Sequence, residues 1–536
     1  MTRKPVTRRE VLRRGSLLAA PGVLPAAALG SAPVVGAGAA RAVESAGGGL
    51  RVGPEIYQSI GVRPLVNARG TYTILSGSLM LPEVRAAMEA AAQHYVHLDE
   101  LAEGVGRRLA ELTGAPWGVV TSGCSAALTH ATSACVAGGN PDLHVRLPDL
   151  RGFAKDEVVI PRHSRNVYDA AVRAVGVRVV EVATVEELEA ALGPRTAMVY
   201  VFAGPWVDES PLDTRTIATR AGARGVPVLV DAAAEILTVP NVHLEAGADL
   251  VGYSGGKCLR GPQTAGILIG REDLVRAAWV HSAPHHGVGR SMKVGKEEAM
   301  GMLTAVEMWM RRDHEAEWRR WTGWLETVAA RVSAVAGVET SVVQPIGLSN
   351  RTPTLTVRWE AEALGVTSEE VVRRLFGGDP RVALAPAPAD DGRTGLTVNP
   401  YMMSPGDESV VADALHAILS RPPRRLVPPP ESPAANLTGE WDVEIAYSAS
   451  RSTHRLFLRQ RGREIDGSHR GDFVERELSG RLDGREVEIR SRHTEDRDGN
   501  ALFYTFIGTV AGDTMEGTLD LGEYLKAGWS ARRSRA

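Results

Sequence analysis

A lysine, an aspartate and a Ser/Thr/Gly-rich turn are the residues of this sequence whose types and spacing could do chemistry. Lys257 lies within residues 248–270, ADLVGYSGGKCLRGPQTAGILIG, on a turn between two apolar runs. The two preceding glycines, Gly255 and Gly256, let the backbone take a positive φ and approach a ligand closely. The alternative interpretation is a surface lysine on a hairpin loop.

Two further polar groups also follow apolar runs. Asp231 ends the run in VPVLVDAAAE, where a carboxylate is costly to bury unless it meets a positive partner. Residues 121–125, Thr-Ser-Gly-Cys-Ser, open directly into a helical pattern, and free N–H groups at a helix start can hold an anion. The alternatives are a capping Asp and a plain N-cap.

An anion cradle, an aspartate and a lysine, in this order, are the groups that pyridoxal phosphate (PLP) chemistry requires. The lysine amine holds the aldehyde as a Schiff base until a substrate amine displaces it. The aspartate keeps the pyridine nitrogen protonated, so that the ring acts as an electron sink, while the helix start holds the phosphate. Ser254, three residues before Lys257, is well placed to add a phosphate contact. The sequence therefore predicts PLP as the cofactor.

The elements that must position these groups alternate between short apolar runs and helical patterns. The predicted strands are Trp117–Thr121, Glu157–Pro161, Arg178–Val182, Ala197–Phe202, Val226–Asp231, Leu250–Tyr253 and Ala265–Ile269. Such alternation favours an α/β fold with a mainly parallel sheet covered by helices on both faces. Ligands bind beyond the carboxyl ends of the strands in these sheets, where the polar groups described above lie.

Several stretches carry a resemblance to a known family. They are IYQSIGVRPLVNARGTYT, GSLMLPEV, LTGAPWGVVTSGCSAAL, RNVYDAAVRAVGV, VPVLVDAAAE, SGGKCLRGPQTAGILIG and GRSMKVGKEEAMGML. Over about residues 53–420 the chain resembles the selenocysteine synthase-like branch of fold-type I PLP enzymes. That branch includes L-seryl-tRNA(Sec) selenium transferase and D-glucosaminate-6-phosphate ammonia-lyase.

The resemblance implies a fold-type I PLP transferase fold with a seven-stranded sheet, and it implies roles for individual residues. Lys257 would be the Schiff-base lysine and Asp231 the partner of the pyridine nitrogen. The residues expected to line the phosphate are Ser122, Gly123, Cys124 and Ser254. The family usually has a small residue at the position of Cys124, so this thiol is a departure that should leave the backbone contacts intact.

The stacking and substrate positions are less defined. Family members read His-Arg-Asn where this chain reads Arg-His-Ser-Arg-Asn at residues 162–166, so His163 and Arg165 are both candidates to stack on the ring. The candidates for the substrate wall are Asn67, Tyr72, Arg290 and Asn399. Lys293 and Lys296 follow Arg290 and could help to bind a carboxylate or phosphate, or could form a solvated helix start.

Other binding chemistry is not expected. His285 and His286 are adjacent, but no acid or cysteine at ligand spacing accompanies them, so we predict no metal site. The net charge of -3 gives no basic footprint for nucleic acid. Three cysteines in so long a chain do not indicate a disulfide framework. Fold-type I sites usually borrow residues from a second subunit, so the resemblance implies a homodimer or a higher homo-oligomer.

The flanks of the chain differ from its centre. Residues 1–42 combine Arg8-Arg9 with an apolar stretch and with Ala40-Arg41-Ala42. This layout predicts a twin-arginine signal peptide, and with it a periplasmic or other extracytoplasmic location. The alternative is a disordered basic tail. No later apolar run is long enough to span a membrane. Between these flanks we expect a large PLP-binding domain with its lead-in at 53–300 and a small C-terminal domain at 301–420.

The last part of the sequence has a different pattern. Residues 421–436 form a proline-rich stretch that predicts a stiff linker, and residues 437–536 alternate apolar and polar positions with Asp-Gly and Arg-Gly turns. The second segment is expected to be an antiparallel β module, a meander or small barrel. A structural or oligomerising role is as consistent with its sequence as ligand binding.

By the resemblance, the expected reaction is α,β-elimination on an amino acid or amino-sugar acid, with racemisation and transamination sharing its first step. Transfer of selenium to a tRNA is disfavoured, because an exported enzyme would be separated from the tRNA. A serine acyl enzyme is a second hypothesis, since Ser254-x-x-Lys257 matches a Ser-x-x-Lys motif, although two glycines separate the pair. A non-catalytic protein of the same fold is the third.

Overall fold

The structure is a computed structural model that describes residues 50–387, 393–422, 431–494 and 501–534. It divides into a unit that ends at Pro64 and a second unit that begins at Leu65. In its described part the first unit has one turn of 3-10 helix, Gln58–Ile60. The predicted signal peptide, residues 1–42, lies outside the described residues, as does half of the proline-rich stretch, residues 423–430.

The second unit contains two open sheets, a strand pair, a closed barrel and the helices that cover the open sheets. In chain order, the first strands are β1 (Val66–Asn67), β2 (Trp117–Thr121), β3 (Glu157–Pro161), β4 (Arg178–Val182), β5 (Thr196–Phe202), β6 (Val228–Asp231), β7 (Leu250–Ser254), β8 (Gly266–Gly270), β9 (Val338–Val343), β10 (Thr354–Trp359), β11 (Val382–Ala383), β12 (Ala385–Pro386) and β13 (Thr394–Val398). The α-helices are α1 (Pro82–Ala92), α2 (Leu98–Thr113), α3 (Gly123–Ala137), α4 (Pro141–His144), α5 (Ala170–Arg173), α6 (Val185–Ala191), α7 (Pro205–Asp208), α8 (Thr214–Gly222), α9 (Val242–Glu245), α10 (Glu272–Val280), α11 (Lys296–Arg311), α12 (His314–Val332), α13 (Ala361–Leu364), α14 (Ser368–Gly377) and α15 (Asp407–Ser420).

The central sheet has seven strands in the order β2-β8-β7-β6-β5-β3-β4. The strands from β7 to β4 run parallel, whereas β8 is antiparallel to both of its neighbours. These strands read as nearly continuous apolar runs because helices bury both faces of the sheet. The predicted fold class, a mainly parallel seven-stranded sheet between helices, is confirmed.

Strand order brings the chemically interesting residues to one edge of this sheet. The carboxyl ends of β3, β5, β6 and β7 lie together because these strands are parallel neighbours. On the other side of β7, Thr121 at the end of β2 pairs with Gly266, which pairs in turn with Ser254 at the end of β7. The helix start after β2 and the lysine turn after β7 therefore share one edge.

The small domain follows helix α11. Its four-stranded antiparallel sheet has the order β12-β13-β10-β9, and a separate core includes Leu325 on α12 and Leu415 on α15. β1 pairs in parallel with β11 and thereby joins the lead-in segment to this domain. The loop around Asn67 is consequently held at a fixed place in the second unit.

The C-terminal module is a closed eight-stranded barrel in which each strand pairs with the next and the last pairs with the first. Its strands are β14 (Gly439–Ala446), β15 (Arg451–Arg461), β16 (Glu464–Arg470), β17 (Glu475–Asp483), β18 (Glu486–Thr494), β19 (Ala501–Ala511), β20 (Thr514–Asp520) and β21 (Lys526–Arg533). The prediction of an antiparallel β module is confirmed. The end of the expected linker is held against the barrel, because the backbone N–H groups of Glu431 and Ala434 donate hydrogen bonds to Asp483 and Gly484.

Within the described ranges, no helix is both long and apolar enough to cross a membrane. The three cysteines, Cys124, Cys135 and Cys258, are buried thiols without a disulfide bond.

Candidate active site

Asp231 is the buried acid of the site, at the end of β6. It is 2% exposed. Its carboxylate accepts hydrogen bonds from the backbone N–H of Ala233 at 3.0 Å, the hydroxyl of Tyr200 at 3.0 Å and the thiol of Cys124 at 3.4 Å. Burial raises the pKa of Asp231 despite these donors. A carboxylate held in this way is suited to a cationic ring N–H, which would repay its lost hydration.

Lys257 lies on the turn between β7 and β8. The turn needs its glycines for close packing: a Cβ on Gly255 would lie 2.4 Å from the sulfur of Met302, and one on Gly256 would lie 2.7 Å from the Cα of Gln263. Neither glycine adopts the positive φ that its lack of a side chain permits, so close packing is the reason for glycine at both positions. The charge of Lys257 is among the influences that lower the pKa of Asp231, which indicates that the two side chains are neighbours.

The start of helix α3 forms an anion cradle. Ser122 is its N-cap residue, yet the Ser122 side chain makes no capping hydrogen bond, so its hydroxyl is available to a ligand. Gly123 has φ +80°, a conformation that favours glycine. Gly266 keeps the space in front of the helix open, because a Cβ there would lie 2.7 Å from the backbone nitrogen of Cys124. Together with Ser254 across the sheet, this set fits a phosphate.

The side chain of Cys124 serves a different group from the one expected. Its backbone belongs to the start of α3, but its thiol donates to Asp231. Burial and the nearby carboxylate raise the pKa of this thiol well above its usual value, so the thiol remains protonated and able to donate. Cys124 therefore links the phosphate cradle to the acid.

The segment after β3 separates the two stacking candidates. Arg165 is directed into ion pairs with Asp169 at 2.7 Å and Glu181 at 2.9 Å, which leaves it without a role at Asp231. His163 is partly buried and its Nε2 lies 3.2 Å from the carbonyl oxygen of Leu212; burial lowers its pKa. None of these three contacts directs Arg165 or His163 towards Asp231.

Asn166 and Tyr200 are site residues that sequence reasoning missed. Asn166 donates to the Tyr200 hydroxyl at 3.1 Å, and Tyr200 donates to Asp231. Burial raises the pKa of Tyr168, and the nearby Asp231 carboxylate raises it further. The centroid of the Tyr168 ring lies 6.4 Å from that of Phe202. The motif RNVYD contained Asn166 and Tyr168, but it gave no sign of which side chains turn inward.

Two of the predicted substrate-wall residues are engaged by their own backbone neighbourhood. The Asn67 amide oxygen accepts from the backbone N–H groups of Arg69 and Gly70, and its NH₂ donates to Gly70. The amide oxygen of Asn399 accepts from the backbone N–H of Tyr401. Asn67 therefore has little free hydrogen-bonding capacity, whereas the engaged atom of Asn399 is its amide oxygen.

Arg69 lies beside Tyr72 and was not among the predicted site residues. Its guanidinium carbon lies 4.6 Å from the centroid of the Tyr72 ring, and its buried Nε has no hydrogen-bond partner. Tyr72 itself is about half exposed and lies near Tyr168. The sequence signal that could have found Arg69 is its place between Asn67 and Gly70 in a tightly turned segment.

The basic loop after α10 lies elsewhere. Arg290 and Lys293 are exposed, and the loop packs on the middle of α3, where Gly289 approaches the ring of His130. Lys296 donates to the carbonyl of Ala91 and pairs with Glu297, and its side chain is only 19% exposed, so it packs against α1 rather than forming a solvated helix start. The described contacts do not bring these three cations to Lys257.

The adjacent histidines do not form a metal site among the residues that the structure describes, where no group of three or more possible ligands occurs. His285 contacts the carbonyl of Trp279 and lies 3.5 Å from Asp99, while His286 is exposed.

Comparisons with known proteins agree with this geometry. Residues 157–299 match the aminotransferase class-V family model. The chain is 32% identical over 335 residues to a D-glucosaminate-6-phosphate ammonia lyase of Salmonella typhimurium, covering 61% of this chain and 88% of the relative. A solved structure of D-glucosaminate-6-phosphate ammonia-lyase superposes with a TM-score of 0.61 at 30% identity, covering 68% of this chain and 98% of that one. The chain belongs to the selenocysteine synthase-like branch of fold-type I PLP-dependent enzymes.

Other relatives of this branch differ in their chemistry. A 5'-C-glycyluridine monooxygenase-decarboxylase of a Streptomyces species is 34% identical over 371 residues, covering 66% of this chain and 90% of the relative. An L-seryl-tRNA(Sec) selenium transferase of Moorella thermoacetica is 31% identical, covering 47% of this chain and 55% of that enzyme. The protein is thus a PLP-dependent enzyme of this branch, and PLP is its cofactor.

Proposed function

We propose that this PLP enzyme is exported and catalyses α,β-elimination, with release of ammonia, on an amino acid or amino-sugar acid. The observation that carries the proposal is the ammonia lyase relative, to which the chain is 32% identical over 88% of the relative's length. The arrangement of Asp231, Lys257 and the start of α3 at one sheet edge supports it.

Each residue at this edge would have a distinct task. The hydroxyls of Ser122 and Ser254, with the N–H groups of α3, would hold the cofactor phosphate, and Lys257 would carry the cofactor. Asp231 would pair with the pyridine nitrogen, held in place by Tyr200 and Cys124. When bound, PLP supplies an electron sink for the negative charge left on the substrate Cα.

Lys257 would also act as the base. Once the substrate amine has displaced it from the cofactor, its neutral amine can take the Cα proton and return it to a leaving group. Such a transfer needs the amine within hydrogen-bond reach of Cα, a position that a lysine fixed on a tightly packed turn can keep.

Arg69 would bind the substrate carboxylate. Its Nε is buried without a hydrogen-bond partner, and a guanidinium offers two parallel N–H donors to a carboxylate. Tyr72, against which the guanidinium lies, restricts its direction. Arg290 is the alternative carboxylate ligand, and it would reach a site only in another subunit of the expected homodimer or higher oligomer.

An oxidative decarboxylation is the second candidate function. It is favoured by the 34% identity to the monooxygenase-decarboxylase. Both candidates use the same cofactor-holding residues, and they differ in whether a Cα–H bond or the bond to the carboxylate is broken.

The serine acyl enzyme has no support in the fold. Ser254 ends strand β7, and Lys257 lies in the following turn. A Ser-x-x-Lys mechanism needs the two side chains one helical turn apart on a helix.

The reaction is tested by incubating purified holoenzyme with small D- and L-amino acids and amino-sugar acids. Elimination predicts equal amounts of ammonia and 2-oxo acid with no uptake of oxygen. Oxygen uptake matched by carbon dioxide release would replace this proposal with the decarboxylase. Racemisation would change optical rotation without either product, and transamination would need an added 2-oxo acid.

Export is tested with the full gene and an Arg8→Lys/Arg9→Lys variant in a host that has the twin-arginine pathway. We expect activity in the periplasmic fraction for the natural sequence and in the cytoplasm for the variant. Equal distribution of the two proteins would contradict export by this route. Sedimentation of the mature protein at the mass of a single chain would contradict the expected oligomer.

A further inference from the structure

The interior of the C-terminal barrel is divided into an apolar half and a polar half. The inward positions towards one end carry Trp441, Leu458, Ile465 and other apolar side chains. Towards the other end, strands β15–β19 carry inward polar side chains, beside the apolar Ile445 of β14 and Ala527 of β21. These polar side chains are His454, His469, Arg476, Ser491 and Tyr504. Polar groups inside so small a module reduce its stability unless each has a partner, so their grouping at one end calls for a function.

Arg476 is the charged member of the polar half. It is 6% exposed, its Nε has no hydrogen-bond partner, and its Nη1 lies 3.5 Å from the carbonyl oxygen of Val474. Its guanidinium carbon is 4.8 Å from the centroid of the Tyr504 ring. A buried guanidinium with an open donor is energetically unfavourable by itself and is suited to an anion.

The neighbouring histidines are already engaged with one another. Nδ1 of His454 lies 2.8 Å from Nε2 of His469, whose Nδ1 lies 2.7 Å from the Ser491 hydroxyl. Burial lowers the pKa of His469 to about 3 and lowers that of His454 as well, so both rings are neutral near pH 7. The positive charge inside this half of the barrel therefore belongs to Arg476.

The nearest acid does not satisfy Arg476. Asp472 accepts from the Ser452 hydroxyl at 2.6 Å and lies 3.4 Å from Nε2 of His454. Its side chain is 53% exposed on the loop between β16 and β17. Gly471, beside it, leaves the space that the guanidinium occupies, since a Cβ there would lie 2.5 Å from Nη1 of Arg476.

We propose that the polar end of the barrel binds a small carboxylate, which Arg476 grips through its open N–H donors above the layer formed by the histidines and Tyr504. An eight-stranded barrel has room for one small ligand at such an end. Arginine is preferred for this task because its planar fork matches the two oxygens of a carboxylate. This site is separate from the PLP site and does not depend on the reaction proposed above.

The test is isothermal titration of the full-length holoenzyme with sodium acetate and with sodium succinate. We expect saturable binding of at least one of the two, weakened at least tenfold by Arg476→Gln. The matched control is Arg463→Gln: Arg463 also has a buried Nε without a partner, but it pairs with Asp483 at the opposite end of the barrel. Arg463→Gln should leave the binding of acetate and succinate unchanged.

Two further variants keep the outcome decisive. Arg69→Ala removes the carboxylate ligand proposed for the PLP site, so binding that survives in it belongs to the barrel. Gly471→Ala displaces the guanidinium without removing it and should also weaken binding; it decides the matter if Arg476→Gln does not fold. Absence of binding by the natural protein, or unchanged binding in a folded Arg476→Gln or Gly471→Ala protein, would overturn the proposal.

Discussion

Asp231 and Arg476 are both buried charged side chains, one at the edge of the central sheet and one inside the barrel. Asp231 accepts hydrogen bonds from Ala233, Tyr200 and Cys124. Arg476 keeps an Nε without any partner. The acid is thus fixed in position by the protein itself, whereas the cation has donors left over. The difference is the one expected between a preorganised site for a resident cofactor and a site whose ligand supplies missing contacts.

We expect both buried charges to lower stability where they stand, and we infer that each is retained for binding. Burying a charge without a full set of partners costs free energy that the fold must supply elsewhere. Neutral replacements should therefore affect binding and stability in opposite directions in both regions. The following predictions test that expectation.

The largest effect is expected at Lys257. Lys257→Ala should lower kcat by about 10³-fold or more, because it removes both the attachment point and the base. It should also remove the visible absorbance of lysine-bound cofactor. Lys155→Ala serves as the control and should change neither kcat nor the visible absorbance. A Lys257→Ala enzyme of normal activity would contradict the roles assigned to Lys257.

Asp231→Asn should lower kcat by at least about 10²-fold, since the pyridine nitrogen loses its anionic partner. In cofactor-free protein the same change should raise the unfolding temperature at neutral pH. Burial raises the pKa of Asp231 above its ordinary value of 3.8, so wild-type stability contributed by the protonated acid is lost as pH rises. The gain in unfolding temperature caused by Asp231→Asn should accordingly vanish below pH 3.8 and grow above it. A constant gain across this range would assign it to another cause.

Arg69→Ala should raise KM about tenfold or more, equivalent to about 1.4 kcal/mol, with a smaller change in kcat. Loss of the carboxylate contact weakens substrate binding directly. Arg290→Ala, measured in parallel, decides between the two cations. A larger KM effect in that variant would move the carboxylate site to the loop after α10.

Arg476→Leu should raise the free energy of unfolding of the barrel by about 1 kcal/mol, because an apolar side chain replaces an incompletely paired charge. Leu478→Ala, two residues along the same strand, should instead lower it by about 2–5 kcal/mol. Chemical denaturation followed by tryptophan fluorescence measures both. A loss of stability in Arg476→Leu would identify the arginine as a structural residue.

The smallest effect is expected for Cys124→Ser. A serine hydroxyl can replace the thiol as a donor to Asp231, so kcat should stay within about threefold of wild type. Cys124→Ala removes the donor and should lower kcat further. Equal activity in the two variants would show that the hydrogen bond to Asp231 has no part in catalysis.

The cofactor side of the site could be predicted from the sequence because it follows from strand ends. Asp231 ends β6 and Lys257 follows β7, its parallel neighbour, so these two positions must lie at the same edge. Ser122 follows β2, which reaches the same edge through the antiparallel strand β8. The substrate wall could not be predicted in the same way. Asn67 and Asn399 stay predictions for the wall, and only the folded backbone reveals that their amide oxygens already accept hydrogen bonds.

The barrel shows a second limit of sequence reasoning. Period-two alternation predicted which faces of its strands point inward, but it gives no reason to join His454, His469 and Arg476, which lie on three different strands. Register brings them together, and register depends on the turns. Arg165 shows a related limit: Asp169 lies only four residues further along the chain, but its other partner, Glu181, becomes a neighbour only through the pairing of β3 with β4.

Reduction of the holoenzyme with borohydride, followed by digestion and mass spectrometry, tests most directly that this edge of the sheet holds PLP. Borohydride makes the bond between lysine and cofactor permanent, so the labelled peptide identifies the attachment residue. We predict the label on Lys257 alone, and its absence from protein incubated first with a tightly binding amino acid. A label on another lysine, or a cofactor-loaded protein without any label, would contradict the assignment of Lys257 and of the site built around it.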